Sequence, residues 1–136
     1  MAVVLVINDE KAMLDAYASM LESLGHQPIT KAAVATGPET VRAVGAEALV
    51  VDLQRPNERE YGLRIIEELR ADDEMKAFPI ILCSGAAEAL QAYRPRLDAL
   101  GVPIVVKPFS VDELQRTLEL ALQDRNAQES GEHRSE

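Results

Sequence analysis

Short apolar runs alternate with helical stripes along almost the whole chain. Ala2 to Ile7 is continuously apolar and rich in β-branched residues, as a strand covered on both faces tends to be, and it stops at Asn8-Asp9. Met13, Leu14, Tyr17, Met20, Leu21 and Leu24 then recur at helical spacing, with Gly25 where a left-handed C-terminal cap would sit. His26 to Thr30 reads as a second strand, and Pro38 suits the first turn of a short helix ending near Gly45. Ala48 to Leu53 is a third strand. A polar loop holding Pro56 and Gly62 follows it, then a helix using Leu63, Ile66 and Leu69. Phe78 to Cys83 gives a fourth strand, followed by a helical segment with Ala86, Ala87, Leu90 and Tyr93 that Pro95 is expected to interrupt or kink. Val102 to Val106 is the fifth strand, and Ser110 with Glu113 three residues later forms the pattern of a capping box for the last helix, which buries Leu114, Leu118, Ala121 and Leu122.

Five strands alternating with five helices imply an α/β fold: a doubly wound parallel sheet with right-handed crossovers and helices on both faces. In such sheets ligands bind at the carboxyl ends of the strands. The apolar periodicity stops at Gln123, so one domain is expected over residues 1–123, with a polar, disordered tail over 124–136.

Composition narrows the function classes. A chain of 136 residues suits one well-buried core. Its longest apolar runs fall far short of the roughly 20 residues of a bilayer crossing, and no basic stretch leads into an apolar export segment, so membrane insertion is not expected and a cytoplasmic location is. The single cysteine, Cys83, lies inside an apolar run and reads as a small core residue. A formal net charge of -9 would repel nucleic acid and anionic membranes.

The strand ends carry the candidate chemistry: Asn8-Asp9-Glu10 after the first, Asp52 on the third, Ser84 after the fourth and Lys107-Pro108 after the fifth. Two carboxylates at one edge repel unless a cation or a proton neutralises them, so Asp9 and Asp52 suggest a metal site. Oxygen donors alone favour magnesium over zinc. A carboxylate can also attack phosphorus to give an acyl phosphate, and Lys107 and Ser84 are of the types that would neutralise and hydrogen-bond its oxygens.

These motifs resemble the receiver domain of bacterial two-component response regulators, of the stand-alone type. The resemblance covers about residues 2–123 and rests on Leu5 to Glu10, Val50 to Leu53 with Pro56, Ile80 to Ser84, and Val106-Lys107-Pro108-Phe109. It implies the flavodoxin-like strand order 2-1-3-4-5, with Asp52 as phosphoacceptor and, with Asp9 and the backbone carbonyl of Gln54, a ligand of Mg2+. It further implies Ser84 as switch hydroxyl, Lys107 as phosphate-binding lysine, and a cis Lys107-Pro108 bond. The expected partners are a histidine kinase or phosphotransfer protein upstream and an unidentified protein downstream, since no output domain is expected within this chain. No enzymatic turnover beyond self-phosphorylation and autodephosphorylation is expected. Three features depart from the pattern. Asn8 stands where a second acid is usual, the loop from Gln54 to Gly62 is long, and Ile104 replaces the customary aromatic residue on the fifth strand.

Each residue also has a plainer reading. Asp9 suits a helix cap, Ser84 a turn and Lys107 an ordinary surface position. His26 and His133 read as surface and tail residues, and Arg55, Arg59 and Arg64 as a solvated loop beside the site. The rival functions are a receiver-like interaction module that works without phosphorylation, an aspartyl-phosphate phosphatase, and a flavin carrier. The phosphatase lacks a second acid at Gln54, and the flavin carrier lacks a phosphate-cradling glycine loop after the first strand.

Overall fold

The computed structural model describes residues 1–32, 37–53, 60–85 and 87–134. The elements are β1 (Val3–Ile7), α1 (Lys11–Ser23), β2 (Gln27–Lys31), α2 (Pro38–Ala43), β3 (Ala48–Asp52), α3 (Tyr61–Ala71), β4 (Ile80–Ser84), α4 (Ala87–Ala99), β5 (Ile104–Val106) and α5 (Val111–Arg134). The strands form one sheet in the order β2-β1-β3-β4-β5, every neighbouring pair parallel. This is the expected flavodoxin-like, doubly wound arrangement.

Strand alternation divides the interior in two. Leu5, Ile7, Leu49, Val51, Ile80 and Leu82 face a cluster completed by Val41 of α2, Leu63, Ile65, Ile66 and Leu69 of α3, and Leu90 and Leu97 of α4. Val4, Val6, Ala48, Val50, Ile81, Cys83 and Val105 face the other cluster, completed by Tyr17 and Leu21 of α1 and by Leu114, Leu118 and Ala121 of α5. Both sheet faces are thus covered, which is why the central strands read as unbroken apolar runs.

Local signals behave as their chemistry dictates. Gly25 and Gly45 follow α1 and α2 with φ of 84° and 69°, the left-handed region in which a side chain is strained. Pro38 lies in the first turn of α2. Ser110 Oγ accepts a hydrogen bond from the Glu113 N–H at 3.1 Å, the N-terminal half of the capping box.

Other positions differ from the sequence reading for identifiable reasons. Phe78 precedes β4 because its N–H closes a turn onto the Met75 carbonyl, and Val102 precedes β5 because its N–H closes the end of α4 onto the Leu97 carbonyl. Pro95 does not interrupt α4, which runs through it. Leu90 and Leu97, buried on either side of the proline, hold the helix against the sheet. The last helix continues to Arg134 rather than giving way to a disordered tail after Gln123. Its Ala, Gln, Glu and Arg residues are good helix formers extending a helix already nucleated by buried Leu114 and Leu118. His26 is half-buried rather than a plain surface residue. Its Nδ1 accepts the Ala2 N–H at 3.0 Å, and its Nε2 lies 3.3 Å from Gln115 Oε1, so the ring bridges the start of β1 and α5. Arg64 belongs to α3 rather than to a loop, with its guanidinium 5.6 Å from the Tyr61 ring centroid and 3.3 Å from Glu68. Among the described residues no helix is long and apolar enough to cross a membrane.

Candidate functional site

Register places the polar strand ends side by side. Ile7 pairs with Val51, Asp52 with Cys83, and Ser84 with Val106, so Asn8, Asp52, Ser84 and Lys107 emerge along one edge of the sheet. Parity adds a finer division. Asn8 continues the face of Val4 and Val6, Asp52 that of Ala48 and Val50, and Lys107 that of Val105, all toward α1 and α5. Ser84 continues the face of Ile80 and Leu82, toward α3 and α4.

Asp52 is the centre of the arrangement. Its Oδ2 accepts hydrogen bonds from Lys107 Nζ at 2.9 Å and from Asn8 Nδ2 at 2.7 Å. Its Oδ1 faces the hydroxyl of Tyr17, which donates across 3.4 Å. The Asp52 and Lys107 side chains are 19% and 28% exposed, so the pair is partly desolvated yet reachable from solvent. Asn8 is itself buried, and the Glu10 N–H donates to its Oδ1 at 2.9 Å. That bond fixes the amide so that its donor end points at the carboxylate.

Tyr17 is 1% exposed and stacks on Phe109, with ring centroids 5.9 Å apart and planes 23° from parallel. Burial, reinforced by Cys83 and the Asp52 carboxylate, pushes its phenol far above its ordinary value, so it remains a proton donor. Burial likewise pushes the Cys83 thiol up to about 12, which makes it the inert core residue its apolar run suggested.

The backbone at this edge is also constrained. The Gly62 N–H donates to the Leu53 carbonyl at 2.8 Å. A Cβ at Gly62 would run into the Asp52 carbonyl and come within 2.9 Å of Leu53 Cα and of Leu82 Cδ1. Glycine therefore lets α3 close against the end of β3. On the far side, the Lys107 N–H donates to the Ser84 carbonyl at 2.8 Å, and the Lys107-Pro108 bond is cis.

Of the residues singled out from sequence, Asp52 and Lys107 are bonded to each other. The Ser84 side chain is buried, with the residue joined to Lys107 through the backbone. Asp9 is exposed at the same edge and does not occupy the N-cap of α1, which falls on Glu10. Gln54, Pro56, Arg55 and Arg59 lie outside the described residues, as does most of the long loop. Sequence reasoning missed Tyr17, taken only as a member of an apolar stripe, and treated Asn8 as a lost charge rather than as a donor. Parity could have found both, because Asn8 and Asp52 fall on the sheet face that right-handed crossovers give to α1 and α5.

Residues 4–119 match the family model described as response regulator receiver domain. The chain is 29% identical over 125 residues to the chemotaxis protein CheY1 of Helicobacter pylori, an alignment covering 87% of this chain and 94% of the relative. Among solved structures it resembles the receiver domain of sensor histidine kinase PA1611 from Pseudomonas aeruginosa PAO1, which carries a magnesium ion in its active site cleft. The TM-score is 0.68 and the identity 28%, over 90% of this chain and 98% of that one. The chemotaxis protein CheY4 of Vibrio cholerae shares the fold with a TM-score of 0.72 at 21% identity, over 90% and 99% of the two chains.

Proposed function

Because the chain belongs to the response regulator receiver domain family, we propose that it works as a phosphoacceptor switch in which Asp52 takes the phosphoryl group. The observation that carries this reading is the Asp52 carboxylate held between the Lys107 ammonium and the Asn8 amide at the open carboxyl edge of a parallel sheet. The donor is the phosphohistidine of a histidine kinase or phosphotransfer protein. An Asp52 oxygen bonds to phosphorus as the P–N bond breaks, and the imidazole keeps that electron pair. Lys107 neutralises charge on the transferred group, and the Ser84 hydroxyl supplies a further donor. The chain turns over no other substrate. It acts in the cytoplasm, contacts neither nucleic acid nor membrane, and signals through contacts with another protein.

The donor set at this edge fits magnesium. Asp9 and Asp52 are oxygen donors, which suit magnesium better than zinc, a metal that usually takes histidine or cysteine as well. Asp9 and Asp52 would hold the ion together with the backbone carbonyl of Gln54, a residue outside those described. When bound, the ion supplies positive charge to the phosphoryl oxygens. Asn8 in place of a second carboxylate lowers the negative charge of the site and hence its affinity for the cation.

The test is intact mass after treatment with acetyl phosphate and magnesium. The chain is expected to gain one phosphoryl group, and Asp52→Asn, nearly isosteric but a poor nucleophile, is expected to gain none. Full labelling of that variant would refute the assignment of Asp52, and an unlabelled wild type would leave only an interaction module.

A further inference from the structure

The roles assigned above leave the Tyr17 hydroxyl without a task, although it lies against the acceptor. The two oxygens of Asp52 meet different surroundings: Lys107 and Asn8 on Oδ2, the buried Tyr17 phenol on Oδ1. Lys107 is the more exposed partner and, in the reading above, neutralises the transferred group, so a phosphoryl group arriving beside it bonds to Oδ2 and leaves Oδ1 as the acyl carbonyl. A carboxylate shares its negative charge between both oxygens, whereas an acyl carbonyl carries none. A hydrogen bond to an ionised acceptor is roughly twice as strong as one to a neutral acceptor.

Resting on the reading of Asp52 as phosphoacceptor, we infer that Tyr17 is a positioning residue that shortens the life of the phosphorylated state by favouring the Asp52 carboxylate over its acyl phosphate. In hydrolysis, water oxygen bonds to phosphorus as the P–Oδ2 bond breaks. The electron pair returns to the carboxylate, and the proton lost by water passes to the released phosphate or to solvent. Negative charge grows on Oδ1 during this step, and the Tyr17 O–H meets it. The hydroxyl is held in place by the ring, which stacks on Phe109 two residues past Lys107 and so ties the donor to the lysine loop. Cys83, fully buried, is the neighbouring group that meets the phenol from β4.

Tyr17→Phe keeps the stack and the packing and removes only the donor. The protein is loaded with acetyl phosphate and magnesium, freed of donor, and followed by intact mass. The phosphoryl lifetime of Tyr17→Phe is expected to be roughly three- to tenfold longer than that of the wild type, the size of the difference between a hydrogen bond to an ionised acceptor and one to a neutral acceptor. A merely structural hydroxyl would shift the unfolding midpoint and leave this rate unchanged. Decay of Tyr17→Phe at the wild-type rate overturns the inference while leaving Asp52 as acceptor. A wild type that never gains a phosphoryl group overturns both. If Tyr17→Phe does not fold, the Tyr61→Phe/Tyr93→Phe variant decides, because Tyr17 is then the only tyrosine in a chain without tryptophan. Its near-ultraviolet phenol band is expected to shift on phosphorylation, and an unmoved band overturns the inference.

Discussion

Replacing Asn8 with aspartate restores an acid where this chain carries an amide, and the structure sets how much that should cost. The amide donates to Asp52 Oδ2 at 2.7 Å. Its loss removes a charge-assisted hydrogen bond worth about 1.5–3 kcal/mol. The new carboxylate, relaxed to a separation of ~4 Å, repels Asp52 by ~4 kcal/mol at an effective dielectric constant of about 20. Lys107, 2.9 Å from the same oxygen, offsets part of this, as does the partial exposure of the pair. A net loss of about 2–4 kcal/mol in chelator at neutral pH follows, or a fall in Tm of roughly 6–15 °C for a domain of this size. The repulsion raises the folded-state pKa of the acid pair above the unfolded value of about 3.9. The penalty is therefore full above the folded pKa, shrinks as pH falls through it, and vanishes below the unfolded pKa. Magnesium should narrow the gap at neutral pH, since a cation held at 100 times its Kd adds about 2.7 kcal/mol and the variant binds it more tightly than the wild type. Urea unfolding of both proteins, in chelator and in magnesium, reads all of this. Equal stability in chelator, or an equal magnesium gain for both, would refute the reasoning.

Lys107→Ala should fold with a loss of only about 1–2 kcal/mol, because Asn8 and Tyr17 still face Asp52, yet take up phosphoryl from acetyl phosphate far more slowly. An unfolded variant in circular dichroism would make Lys107 structural. Gly62→Ala should destabilise by about 1–3 kcal/mol through overpacking against β3, and should slow phosphorylation as well by displacing the Asp52 backbone. A wild-type urea midpoint would show that α3 can retreat at no cost. Cys83 should resist iodoacetamide throughout pH 7 to 9, because burial holds its thiol at about 12. Alkylation at the rate of the urea-unfolded chain would contradict that burial.

The order of elements was legible because the central strands are covered on both faces and so read as apolar runs, while Gly25, Gly45, Pro38 and the Ser110–Glu113 pair mark helix ends through local chemistry alone. Asp52 and Lys107 were legible because each directly follows or closes such a run. What stayed hidden depends on contacts distant in sequence. Arg70 illustrates this: its Nε donates to the Leu100 carbonyl at 2.7 Å and a terminal nitrogen to that of Phe78 at 2.8 Å, tying α3 to the end of α4 and the approach to β4. No spacing rule announces such a clip. Tyr17 was hidden similarly, since a helical stripe tells which residues are buried but not what their polar tips meet. The continuation of α4 through Pro95 follows from the burial of Leu90 and Leu97, a tertiary effect that outweighs the local cost of the proline.

The two apolar clusters flanking the sheet have no side chain in common. Substitutions within one cluster should therefore couple, while a substitution in each should add in free energy. Asn8, Tyr17, Asp52 and Lys107 all belong to the α1–α5 side, and the helices α2, α3 and α4 to the other. The surface and interior of those three helices can then be redesigned for a new docking partner with little retuning of the acceptor. The backbone bond from Lys107 to the Ser84 carbonyl, the buried Ser84 side chain on that face and the close seat of Gly62 are the junctions such a redesign must leave intact.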